Sequence, residues 1–130
     1  MPSQDMWGDF QVQSLRVPVQ LLREQAAALG PRTQNLVVAE VSTSTHRDEF
    51  RHRLELVVPT LDDYRYHLLS LIHDIHLYPL VLDYDSDGRL SAGNISSEDE
   101  LNQALHRALS SEKTKRILNS LIGQASVLAS

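Results

Sequence analysis

The stretch FRHRLELVV at positions 50–58 sets Phe50, His52, Leu54, Leu56 and Val58 against Arg51, Arg53, Glu55 and Val57 in a period of two. That period suits a strand with one buried face, and Pro59 ends it because proline cannot donate to a ladder. The chain must therefore build a sheet with one covered side. Upstream, QNLVVAEVSTST offers Leu36, Val38 and a β-branched tail, which predict a second strand. A polar break at 46–49 separates the two runs, so they should pair as an antiparallel hairpin.

The flanks change period. Pro18 reads as an early-helix proline, and after it Leu22, Gln25, Ala26 and Leu29 recur at helical spacing until Gly30-Pro31, where the helix is expected to stop. Downstream, Ser97-Glu98-Asp99-Glu100 is a capping box that opens a helix with Leu101, Ala104, Leu105, Ala108 and Leu109 on its inner stripe. Ser110 or Ser111 caps a last helix whose inner face is Ile117, Leu118, Leu121, Ile122 and Ala125.

The segment between fits two templates. Leu61, Tyr64, Leu68, Leu71, Ile72 and Ile75 make a helical stripe that Thr60 could cap, whereas Tyr64, Tyr66, Leu68, Ser70 and Ile72 alternate. Its aromatic content and the following PLVLDY favour a strand over 64–73 and another after Pro79. The predicted order is α-β-β-β-β-α-α, an α+β domain with a four-stranded antiparallel sheet and helices on one face.

A chain of 130 residues buries roughly two-thirds of its unfolded surface, enough for one core, so a single domain over 1–130 is expected, led by a loosely ordered stretch at 1–14. Hydrophobic residues at 42% and charged residues at 22% are ordinary globular usage and argue against disorder. The absence of cysteine removes disulfides, thiolate metal sites and cysteine nucleophiles, and fits a reducing cytoplasm. MPSQDMWGDFQVQ lacks the basic and apolar regions of a secretory signal, and no apolar run approaches a membrane span, so no membrane partner is expected.

The formal charge of −5 is concentrated in residues 83–100, while the remaining acids and bases cancel. The best basic cluster, HRDEFRHR at 46–53, has Arg47, Arg51 and Arg53 interrupted by Asp48 and Glu49. Phosphate binding needs a less diluted patch, so nucleic acid is not an expected partner.

Two stretches carry metal-ligand chemistry. DYDSDG at 83–88 resembles the start of an EF-hand calcium loop: Asp83, Asp85 and Asp87 supply hard oxygens, Gly88 permits the turn, and Arg89 and Leu90 fall at the backbone-carbonyl and apolar positions. Asn94 stands where the bidentate Glu belongs, and Pro79 does not suit an entering helix. A calcium shell would need Glu98 or Asn94 to complete it; the simpler expectation is a surface turn. HDIH offers His73, Asp74 and His76, with His67 nearby, but it is not the HExxH pattern. As a strand, this segment would put His67 and His73 on one face with Leu69 and Leu71, and His76 on the other.

GxSxG, P-loop and GxGxxG motifs do not occur, and the only lysines are Lys113 and Lys115, both in a predicted helix. The expectation is a non-catalytic protein-interaction domain without a cofactor, its partner another protein, with homo-oligomerisation left open. The alternatives are a calcium-binding or calcium-stabilised domain and, after it, a small metal-dependent enzyme using HDIH.

Overall fold

The computed structural model describes residues 5–12, 15–84 and 92–129. Along them run α1 (Pro18–Arg32), β1 (Val38–His46), β2 (Glu49–Val58), a 3₁₀ turn (Pro59–Leu61), β3 (Tyr64–His73), β4 (Leu80–Tyr84), β5 (Ala92–Ile95), α2 (Glu98–Leu109) and α3 (Glu112–Ala129). The strands form one antiparallel meander in the order β1-β2-β3-β4-β5. Its covered face carries Val41, Leu54, Leu56, Leu69, Leu71, Leu80, Leu82 and Tyr84, packed against Leu21, Leu22 and Ala26 of α1, Leu101 and Leu105 of α2, and Leu121 and Ala125 of α3.

The α+β architecture is as expected, with one strand more than the predicted four. β5 is only the four residues AGNI, with no alternating pattern of its own. It forms by pairing with β4, Leu80 opposite Ile95 and Leu82 opposite Ala92. Residues 64–73 are a strand, and Thr60 lies in the 3₁₀ turn instead of capping a helix.

α1 starts at Pro18 as expected, yet Gly30-Pro31 does not stop it; the helix continues to Arg32. Pro31 has no N–H to donate to the Ala27 carbonyl four residues back, and the helix runs only one residue beyond it. Gln34 and Asn35, both with positive φ, turn the chain back so that the Asn35 amide donates to the Gly30 carbonyl at 2.8 Å. A Cβ on Gly30 would stand 3.0 Å from Asn35 Oδ1, a contact that the Asn35 side chain would have to ease by a few tenths of an ångström. Gln25, placed on the predicted stripe, is exposed.

An irregularity in β3 decides which histidines meet. Leu54 pairs with Leu69 but Glu55 pairs with His67, which leaves Leu68 as an extra residue on β3. Such a bulge inverts the alternation on either side of it. Leu69, Leu71 and His73 therefore face the helices, while His67 faces the uncovered side. That side carries cross-strand ion pairs, Arg65 to Glu40 at 2.9 Å and to Glu55 at 3.6 Å, as a solvated antiparallel face should.

Candidate functional site

Of the three proposed calcium ligands, Asp83 is described: it lies exposed in β4, opposite Ser70. Asp85 and Asp87 fall outside the described residues. The stretch containing them joins β4 to β5, so an antiparallel strand stands on each side of it where an EF-hand has helices. β5 then carries the chain away from that connection, and Glu98, beyond its far end, sits 3.6 Å from the Arg16 guanidinium. Glu98 is thus placed with α1 and not beside Asp83. Asn94 is exposed in β5.

The structure also separates the histidines of the second candidate set. His67 lies on the open sheet face, with Nε2 2.7 Å from Ser70 Oγ; partial desolvation against the sheet first, then the Arg53 guanidinium, holds it below the ordinary imidazole value. His76 is exposed in the β3–β4 loop, where its amide donates to Asp74 Oδ1 at 2.8 Å. Among the described residues no three His, Asp or Glu side chains are grouped to hold a metal ion.

His73 instead meets a residue that lies outside HDIH. Its Nε2 is 2.8 Å from Nε2 of His52, and both rings are buried, with Phe50 stacked on His73 at 5.5 Å between centroids. His73 Nδ1 is 2.7 Å from the Asp74 carbonyl oxygen, and Thr43 Oγ1 is 2.8 Å from His52 Nδ1. A carbonyl only accepts, so His73 Nδ1 must carry a proton. With both rings neutral the order follows: Thr43 donates to His52, His52 donates to His73, and His73 donates to the carbonyl.

A hydroxyl, a base and an orienting group in line resemble an activated nucleophile. The energetics point elsewhere. Burial, and secondarily the neighbouring His73, lowers His52 to about 4, far from the value at which a general base works best near neutral pH. The chain also ends on a carbonyl that cannot pass a proton onward. Its arrangement suits a satisfied polar lining at the end of the core, which the alternation of β2 anticipated only in placing His52 inward.

The clearest exposed apolar feature precedes α1. Met6, Trp7, Phe10 and Val12 are 96%, 80%, 74% and 91% exposed, in a chain with one tryptophan and two phenylalanines. Asp5 Oδ1 accepts from the Trp7 amide at 2.9 Å, a helix-cap-like contact. Where this segment enters α1, Arg16 pairs with Glu24 at 3.0 Å as well as with Glu98. Within the stretch expected as a loose lead-in at 1–14, the density of large apolar residues in MWGDF is the sequence signal that marks it.

At the other end of the sheet, α3 and the start of β3 enclose an open groove of about 610 Å³, lined by Leu61, Tyr64, Tyr66, Ile117 and Leu121, with Arg116 at its edge. The stripe of α3 that floors it continues to Leu128, 60% exposed. Comparison with protein-family models, curated proteins and solved structures finds no match to this chain.

Proposed function

We propose that this chain is a non-catalytic protein-interaction domain whose contact element is the exposed segment around Trp7 and Phe10. The observation that carries the reading is that this chain places its single tryptophan and one of its two phenylalanines in water. Soluble domains keep large contiguous apolar patches small, and aromatic anchors are the residues on which interfaces depend most. The test compares affinity capture by the parent and by Trp7→Ser/Phe10→Ser, using both cell extract and a differently tagged copy of the chain as prey. The reading expects a bound protein that the parent retains and the variant loses. Equal capture by both, or none by either, refutes it.

A second reading is calcium held by Asp83, Asp85 and Asp87. Supporting it are the ligand spacing and the exposed carboxylate of Asp83 in β4, directly ahead of the connection. A melting temperature that rises with micromolar calcium in the parent but not in Asp85→Asn tests it.

A further inference from the structure

The exposed segment and the groove are complementary, and they lie at opposite ends of the sheet. Arg16 is held beside Glu98, which follows β5 at the end where Ile95 is opposite Leu80. The groove is at the other end, around Tyr64 and the 3₁₀ turn, with the length of β3 between. A ten-residue strand spans about 33 Å. Phe10 stands six residues before Arg16 and reaches only about 20 Å from it even when fully extended. The segment therefore cannot seat both of its aromatics in the groove of its own chain.

We infer that the groove between α3 and β3 receives the Met6–Val12 segment of a second copy, each chain filling the other's groove in a two-fold dimer. This rests on the reading that the segment is a contact element, and names its partner. Chemistry matches on both sides: Trp7 and Phe10 meet a floor of Leu61, Tyr64, Ile117 and Leu121, while Asp5 and Asp9 flank the aromatics and Arg116 stands at the groove edge. Arg116 has no ion-pair partner among the described residues. The Asp5 contact to the Trp7 amide favours a helical turn, which would bring Met6, Trp7 and Phe10 to one side, the spacing with which a helix enters an apolar groove.

Size is adequate as well. At about 150–250 Å² for each aromatic, with Met6 and Val12 beside them, a seated segment removes roughly 500 Å² from water. Matched by the groove and doubled by symmetry, the contact reaches roughly 2,000 Å², within the range of specific, stable interfaces. Reciprocal exchange also closes the assembly at two copies, so it does not propagate into fibres.

Trp7 is the chain's single tryptophan and reports directly on its own burial. The experiment follows its emission and the sedimentation mass of the full chain from the low micromolar range to ~0.5 mM. The expected result is solvent-type emission from a 14.7 kDa monomer when dilute, with a blue shift and a doubled mass together on concentration. Phe10→Ser and Tyr64→Glu, both at exposed side chains, should each weaken dimerisation about tenfold or more. Mixing the two variants leaves one intact pairing, so the blue shift should return in part.

A blue shift independent of concentration would mean docking within one chain and overturn the inference. A dimer that survives Phe10→Ser would mean contact through α3 alone, and a monomer with solvent-type emission throughout would mean no exchange; either also overturns it. If capture then shows a different protein bound through Trp7 and Phe10, the interaction reading stands and only the second-copy assignment fails.

Discussion

Because the Asp74 carbonyl can only accept, the hydrogen-bond direction through His73, His52 and Thr43 is fixed when both rings are neutral, and a proton added to His52 must go to Nδ1. The Thr43 hydroxyl can turn from donor to acceptor to allow this. What opposes it is the loss of hydration around a buried imidazolium, and then repulsion from His73. A histidine lowered from 6.5 to about 4 binds its proton more readily in the unfolded chain. Its contribution is therefore complete above 6.5 and lost as pH falls toward 4, by about 3 kcal/mol in all. Denaturant unfolding of the parent and of His52→Gln near neutral pH and near pH 4 checks this: the parent should lose about 3 kcal/mol more than the variant over that interval. Equal losses would show that His52 does not titrate as its surroundings demand.

Among the elements, α2 has the most legible start. The Glu100 amide donates to Ser97 Oγ at 3.2 Å, and Glu100 Oε2 accepts from the Ser96 amide, one residue earlier than the reciprocal bond of a standard capping box. Ser97→Ala should cost about 1 kcal/mol in thermal or chemical unfolding. A variant as stable as the parent would mean that water serves the Glu100 amide equally well. α3 is capped by Ser111, whose Oγ accepts from the Thr114 amide at 3.2 Å. Ser111 and Thr114 also meet the Tyr84 hydroxyl, at 3.0 and 2.5 Å, which ties the α2–α3 corner to β4.

The β4–β5 connection gives a second test at this scale. With calcium a hundredfold above its dissociation constant, a calcium site would stabilise the parent by about 2.7 kcal/mol, and Asp85→Asn would gain less. A ligand set without the bidentate carboxylate should instead bind no tighter than about the millimolar range. The expected outcome is a parent melting temperature unchanged between chelator and micromolar calcium, with Asp85→Asn equally unaffected. A rise in the parent alone would establish the site.

For the molecule as a whole, one apolar layer between sheet and helices carries the stability. Leu105 and Leu121, on the inner stripes of α2 and α3, are both buried in it. Truncating either to Ala should cost about 2–5 kcal/mol, measured by denaturant unfolding, whereas Trp7→Ser should stay within about 0.5 kcal/mol because its side chain is in water. The opposite ordering would mean that the N-terminal segment belongs to the core. This contrast also makes Trp7 and Phe10 suitable for testing association, since their removal leaves the fold in place.

Local pattern was enough to mark the β2 alternation from Phe50 to Val58, the cap at Ser97 and the stripes of α2 and α3, because each depends on residues a few positions apart. The strand over 64–73 was legible from its aromatic content, though the bulge at Leu68 was not: it exists only in the register between β2 and β3. That slip sent His67 outward, away from His73, which meets His52 21 positions away, while His76 lies in the loop beyond β3. β5 and the α3 groove belong to the same class. Four residues of AGNI acquire a strand's hydrogen bonds only once β4 is beside them, and the groove is lined by Tyr64 and Ile117, far apart in the chain, around a gap that no other described segment fills.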